Sequence, residues 1–523
     1  MKPKSMTLLA GMVILAIVLS MGYSLVIAAS PTGEVKTAAA MFGTQIPIPR
    51  LELGHGNDWM LLLYDHLVGC TPEGKLSADL GLAYNWEMSP DGLSWTFYLR
   101  KGIKFHDGVE LTAKDVKFSI EQLMLPDARP ASAGVFRQTI KNMEVKDPYT
   151  LVIQCKKPFL FLPPFLSDLE GGDSLIIPKD YYERVGQEQF IKRPIGSGPY
   201  KFHSQMIGSF IKLEATEKHW RDGVPRFKYM TYLIIPEEST QIAMLKVGDV
   251  DIIRVSRDKV KEVMDAGLKV VLKRAQSVLC FYPFMQWTSP VFSDIRFRKA
   301  LNLAIDKEAI MKHLLGGMVT PVATVPGTSA MTCGGDPSLK PYPYDPEEAK
   351  RLIKEAGYEG YEFIMPSSHR PECPELQLII ETVAGYWQKI GLKPKIFMTE
   401  FPAWRERWRT QKVQNSIHGG ASSVASGCSA LIRTFMEKHY SKSPYAIVHI
   451  PYLDERLDRA VNSTDLAEVE KLMEEIYRYN YDQYLVVPIC DLHGIIATTK
   501  RIPTWDPGLS RLNRNYRGLI KER

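Results

Sequence analysis

Leu80-Gly81-Leu82-Ala83-Tyr84-Asn85-Trp86-Glu87-Met88-Ser89-Pro90-Asp91-Gly92-Leu93-Ser94-Trp95-Thr96-Phe97-Tyr98-Leu99-Arg100-Lys101-Gly102-Ile103-Lys104-Phe105-His106-Asp107-Gly108 runs on into Leu111-Thr112-Ala113-Lys114-Asp115-Val116. From Trp95 to Arg100 apolar and polar side chains alternate, the period of a half-buried strand. His106-Asp107-Gly108 reads as a turn. Thr112 then opens a helix, because its hydroxyl suits the free amides of a first turn and Asp115 suits the positive end. Val116, Ile120 and Leu123 fall on one face of that helix. Strand, turn and amphipathic helix in close succession predict an α/β chain.

The same alternation continues outward. A helix is expected after Asp294, carrying Ile295, Leu301, Ala304 and Ile305. Asp306 is placed to cap the next one, which should stop at Gly316-Gly317. Asp345-Pro346-Glu347-Glu348 combines a cap, a proline at the first helical position and an acid at the third, ending at Gly357. No internal repeat or low-complexity linker interrupts this pattern.

The chain has 523 residues, 45% of them hydrophobic and 24% charged, with a net charge of +6. That is ordinary globular usage, long enough for about three domains or two large lobes. Its small basic excess is scattered, which argues against a nucleic-acid partner. Only one long apolar run occurs, so a polytopic membrane protein is excluded.

That run, Met6 to Ala29, follows Lys2 and Lys4 and precedes Ser30-Pro31-Thr32-Gly33. It has the layout of a secretory signal, although it is also long enough to stay as an anchor. Residues 1–29 are therefore expected to be a signal peptide or N-terminal membrane anchor, with the body exported. Seven cysteines cannot all pair within one chain, and none forms a CxxC. Cys333, Cys373 and Cys428 are the pool for one or two bridges, without a disulfide scaffold.

Catalytic and metal motifs fail. There is no Walker loop, GxGxxG, HExxH or GxSxG. Gly172-Asp173-Ser174-Leu175 spells an esterase-like block, but it lies mid-chain, where a nucleophile lacks its usual setting. A secreted hydrolase built on Ser174 is the less favoured alternative. His418, His439 and His449 are too far apart in sequence to define a metal site. No catalytic residue, metal or cofactor is expected.

Three further stretches complete the picture: Gly196-Ser197-Gly198-Pro199-Tyr200-Lys201-Phe202, followed by His219-Trp220; Gly248-Asp249-Val250-Asp251-Ile252; and Arg296-Phe297-Arg298-Lys299-Ala300-Leu301-Asn302-Leu303-Ala304-Ile305-Asp306-Lys307. With the run from Leu80, their order and spacing resemble the family 5 extracellular solute-binding proteins, the peptide- and oligopeptide-binding receptors of ABC importers. The resemblance implies a two-lobed periplasmic-binding-protein fold, type II-like and of the large three-subdomain kind, with a hinge and an interlobe cleft. It implies lobe I at 31–285 with a C-terminal return at 490–523, and lobe II at 286–489. A peptide-like or other small polar ligand would be caught in the cleft and passed to permease subunits in the membrane. The binding subunit is expected to be a periplasmic or extracytoplasmic monomer, with energy coming from separate ATPases. A sensor keeping its membrane anchor is a variant of the same reading.

In peptide-binding members an aspartate in a Gly-Trp-x-x-Asp loop meets the ligand's ammonium. The matching stretch here, Gly419-Gly420-Ala421-Ser422-Ser423-Val424-Ala425-Ser426-Gly427-Cys428, has no acid. An ammonium buried without a countercharge would cost several kcal/mol, so oligosaccharide or organic-acid binding stands as the alternative. Trp404 and Trp408, four apart on one helical face, either line the cleft or plug the core of lobe II, with Arg405, Arg407 and Arg409 beside them. Tyr282 and Trp287, near Phe281 and Phe284, either line the cleft or pack the crossover. Ser422 and Ser423 offer hydroxyls to a neutral ligand. Ligand-binding candidates are thus Trp404, Arg405, Arg407, Trp408, Ser422, Ser423, Tyr282 and Trp287.

Overall fold

The computed structural model describes residues 30–52, 56–170, 173–285, 290–325, 333–368, 373, 375–423, 427–502, 507 and 516–520. The expected signal segment therefore lies outside the described residues. Among the described residues no helix is long and apolar enough to cross a membrane.

The elements form where the sequence places them. Ser94–Leu99 is a strand with alternate residues buried. Ala113–Met124 is a helix closed by a reciprocal cap between Thr112 and Asp115. The Asp115 carboxylate also accepts the Lys179 amide at 2.9 Å, so one acid ties the starts of two helices. Asp294, Asp306 and Asp345 each accept a first-turn amide of the helix that follows. Each satisfies a donor that the helix itself leaves unpaired.

A nine-stranded mixed sheet runs through the molecule. Its strand order is Ile417–Ser423, Lys269–Pro283, Val487–Thr498, Ile252–Arg254, Glu34–Ala39, Tyr229–Ile234, Phe210–Ala215 and Tyr200–Met206, with Val319–Pro321 also pairing Val487–Thr498. A separate four-stranded sheet holds Ala83–Met88, Ser94–Leu99, Thr150–Cys155 and Ile140–Asp147. Glu362–Ser367 and Lys393–Met398 pair in parallel elsewhere.

Two strands carry the long sheet from one half of the molecule to the other. At one end, Lys269–Lys273 pair with Gly494–Thr498, beside Ile252–Arg254. At the other, Ser277–Phe281 pair with Val487–Leu492, beside Ile417–Ser423 and Val319–Pro321. The ladder shifts between Lys273 and Ser277.

Packing changes partner across that break. Before it, Val35, Trp59, Tyr64, Tyr200, Tyr232 and Tyr516 share a core, while Phe97, Val116 and Ile153 share another under the four-stranded sheet. After it, Leu279 and Phe281 pack with Phe297, Trp387 and Ile417 on one face. Val278, Cys280 and Tyr282 pack with Trp404, Trp408 and Phe435 on the other. By packing, the chain changes allegiance at Lys273–Ser277, ahead of the expected boundary at 285.

The glycines of the Gly196–Tyr200 stretch serve close approach. Glycines in a turn often supply a positive φ, yet neither Gly196 nor Gly198 has one. A Cβ on Gly196 would lie 1.9 Å from the Leu63 carbonyl oxygen, and one on Gly198 2.4 Å from that of Leu62. The turn lies flat against the chain after Trp59, and only a residue without a side chain fits.

Candidate functional site

The junction of the two halves is built on the long sheet. Strand Ile417–Ser423 forms one edge of the long sheet there, and its Gly419-Gly420-Ala421 run pairs with Leu279–Phe281. Small residues follow from contact: a Cβ on Gly419 would meet the Phe281 ring at 2.5 Å. Beyond this strand the chain returns at Gly427 and Cys428. Cys428 is bonded to Cys333 across 95 residues, two members of the expected pool, while Cys373 is in no disulfide. Glu470 lies with these sulfurs in a group spanning 4.8 Å. The sulfurs are joined to each other, so this group offers no thiolates to a metal.

Residues of the first half reach the second at this junction. Glu170 is buried against the start of helix Cys428–Lys438 and accepts the Ser429 hydroxyl. Arg433 lies 3.5 Å from the same carboxylate. Burial raises the Glu170 pKa, outweighing Arg433, Ser429 and the Ala430 amide. Phe161, from the first half, belongs to the core around Trp404. On the far side of the sheet Arg257 meets Glu375 at 3.4 Å, and its guanidinium donates to the His493 carbonyl at 2.8 Å.

The candidate residues of helix Phe401–Arg409 gather, but inside the second half. Trp404 and Trp408 are 2% and 1% exposed. Phe284 meets both rings edge-on, at 6.1 and 4.8 Å. Tyr282 is buried in the same cluster. Lys438 Nζ stands 3.9 Å above the Trp408 ring. Burial pulls the Lys438 pKa down to about 8, against the pull of Glu437. Arg405 bonds Glu437 at 2.9 Å and covers the Tyr445 ring at 3.9 Å. Arg407 is exposed, over Phe397 and Trp404, and donates to the Lys412 carbonyl.

Of the two readings open for the tryptophans and Tyr282, core packing is the one observed. The reason is local: Trp404 and Trp408 are the only side chains this helix buries, so they must attach it. Ser422 and Ser423 are strand residues whose backbone opposes Val278 and Ser277. Trp287 lies outside the described residues.

The hydrolase alternative meets a commitment of its own nucleophile. Ser174 is buried and donates to the Phe165 carbonyl at 2.6 Å. Neighbouring Asp173 takes a hydrogen bond from Asn57, and burial pushes its pKa up to about 7.

One residue at the junction escaped sequence reasoning. Asp491, in the long strand Val487–Thr498, is wholly buried, and neither carboxylate oxygen has a hydrogen-bond partner among the described residues. Its signal was an acid inside the otherwise apolar run from Val486 to Leu492.

Comparison with known proteins agrees with this architecture. Glutathione-binding protein GsiB of Pectobacterium atrosepticum is 28% identical over 404 residues, covering 75% of this chain and 76% of that protein. Heme-binding protein A of Haemophilus influenzae is 27% identical over 453 residues, covering 82% of each. The solved structure of HbpA2 from Haemophilus parasuis superposes with a TM-score of 0.81 at 22% identity, covering 94% of this chain and all of that one. The family model for bacterial extracellular solute-binding proteins, family 5 matches residues 79–442. By that match, and with the fold to support it, the chain belongs to the family 5 extracellular solute-binding proteins.

Proposed function

We propose that the protein is the extracytoplasmic binding subunit of an ABC importer, which captures a peptide-like or other small polar ligand between two lobes and delivers it to membrane permease subunits. The lobes are those expected at 31–285 with the return 490–523, and at 286–489, except that Ser277–Pro283 and Val487–Leu492 go with the second lobe, a choice the packing supports. They turn on the two strands at Lys273–Ser277. The observation that carries the reading is this junction: one sheet continues through both halves on two strands, and its ladder is broken where they cross. A break in a two-strand connection allows hinge closure there, with the Phe161 contact between the halves made and broken as they move. The subunit binds and releases without turnover, and its export follows the N-terminal segment.

The relatives named for glutathione and haem support small-solute capture and do not favour the oligosaccharide alternative. Thermal unfolding against panels of peptides, oligosaccharides and organic acids tests the proposal. A ligand at about a hundred times its dissociation constant stabilises by roughly 2.7 kcal/mol. Stabilisation by peptides, with a smaller radius of gyration on binding, is the expected result. Hydrolysis of the panel at enzyme-like rates would overturn it.

A further inference from the structure

Asp491 occupies an unusual place. In the long sheet it opposes Val278 on one side and Thr320 on the other, and Val278 in turn opposes Ser422 on the edge strand. The row Ser422, Val278, Asp491 and Thr320 therefore crosses four strands on one face. It lies next to the ladder break, since Leu492 and Gly494 are the last paired residues on either side of it. Val278 belongs to the buried cluster of that face.

Among the described residues neither oxygen of the carboxyl has a hydrogen-bond partner. Along its own strand, His493 shares the face, and its Nε2 lies 2.8 Å from the Thr320 hydroxyl. Cys490 and Leu492 alternate to the opposite face with Cys373, the face on which Arg257 meets Glu375. From the paired strands the row presents Val278 and Thr320, neither of them charged. Burial alone raises the Asp491 pKa, to about 8. A buried acid without a donor is costly, and it either holds its proton or takes a cation.

We propose that Asp491 is the anchor for a cationic nitrogen of the transported solute, a primary ammonium in the simplest case. The proposal rests on the solute-binding reading and names the ligand class for it. The edge strand Ile417–Ser423 and residues 424–426 carry no acid in sequence, and Asp491 supplies one two strands from Ser422 on the same row. Opening at the ladder break uncovers this row, and closure covers it with the ligand in place. In the empty protein at neutral pH the carboxyl is mostly protonated. Binding an ammonium ionises it, so the carboxyl proton passes to solvent while the ammonium keeps its own.

The experiment is isothermal titration calorimetry of the full chain at pH 7 in two buffers of different ionisation enthalpy. The probes are tri-alanine, N-acetyl-tri-alanine, spermidine, maltotriose and citrate, with Asp491→Asn beside the parent. The expected result is binding of at least one of the two ammonium probes, tri-alanine or spermidine, with release of close to one proton per site, and no binding of the acetylated peptide. In Asp491→Asn the proton release disappears and affinity falls about thirtyfold or more, as when one member of a buried charge pair is removed. Should the variant fail to fold, proton release by the parent still decides. Ammonium probes that bind without proton release, or equally well to Asp491→Asn, overturn the proposal. Binding of maltotriose, citrate or the acetylated peptide alone overturns it and leaves the solute-binding reading standing. No binding by any probe counts against both.

Discussion

His219 Nε2 lies 3.2 Å from Asp65 Oδ2 with both side chains 1% exposed, and the opposite ring nitrogen lies 3.1 Å from Asp222. Asp65 also accepts from Trp220 and Ser197, and Arg517, near the C-terminus, reaches both Asp65 and Asp222. This network joins the Gly196–Tyr200 turn, the His219-Trp220 pair and the returning chain in the first half. Burial disfavours the imidazolium, but the two carboxylates outweigh it and hold the His219 pKa up at about 9. A folded pKa above the unfolded value gives stability that is complete below the unfolded pKa and lost as pH rises through the folded one.

His219→Gln should therefore lower stability by on the order of 3 kcal/mol at pH 6. The gap between parent and variant should shrink steadily from pH 6.5 towards 9. Urea unfolding across that range checks both, and a gap independent of pH would remove the ion pairs as its cause. Asp65, held down at about 2, loses its contribution only when pH falls from about 4 towards 2.

Gly196→Ala and Gly198→Ala should each destabilise by about 1–3 kcal/mol or more, because the new methyl meets backbone oxygen that cannot move aside. Gly102→Ala provides the contrast: nothing lies within 4 Å of its Cβ, and φ is +76°. Its cost comes from the backbone conformation alone. Shifts in the unfolding midpoint, read side by side, separate collision from conformation.

Trp404→Ala should cost about 3–5 kcal/mol of stability, as for a buried aromatic. Trp404→Phe should retain most of the packing. Were Trp404 in the cleft, Trp404→Ala would weaken binding more than Trp220→Ala. Core packing makes Trp404 a stability residue, so Trp404→Phe, still folded, should bind every ligand as the parent does. Calorimetry on the phenylalanine variant is the check.

Breaking the Cys333–Cys428 bond, by reductant or by Ser at both positions, should lower stability by about 4–5 kcal/mol, the chain-entropy value for a loop of this length. Cys280, Cys373 and Cys490, which are in no disulfide, are buried, so an alkylating reagent should label them only after unfolding. Mass spectrometry after mild reduction should find two new accessible thiols, those of the bridge.

At the interlobe contact, Glu170→Gln should be neutral or stabilising at pH 7. Burial raises this carboxyl's folded pKa, so the folded state holds the proton more tightly and loses stability as pH rises through the range above 4.5. Glutamine keeps an acceptor for Ser429 without the charge. Thermal unfolding at pH 5 and 7 should show the parent losing more stability than the variant, since Asp173 and Asp491 titrate in both.

Much of the scaffold was legible because it is written in short-range chemistry. Thr112 with Asp115, and Asp294, Asp306 and Asp345, are acids and hydroxyls at first-turn positions, and each caps as expected. The Trp95–Leu99 alternation could only be a half-buried strand. The site was harder, for a reason visible in helix Phe401–Arg409. A spacing of four shows that Trp404 and Trp408 share a face, not whether that face meets a core or a ligand. The usable signal was that the remaining positions from Arg405 to Arg409 are charged, so the tryptophans had to attach the helix. Asp491 lay hidden because the strand pattern around it is apolar on both faces, and only three-dimensional register shows that no neighbour answers its charge.

The long sheet enters and leaves its second half at one rung, where Ser277 opposes Leu492. Everything from one to the other is thus a cartridge whose two ends sit side by side. Such a unit can be lifted out at two adjacent points without rethreading the rest of the chain, and the contacts it would then have to remake include those of Phe161 and Glu170.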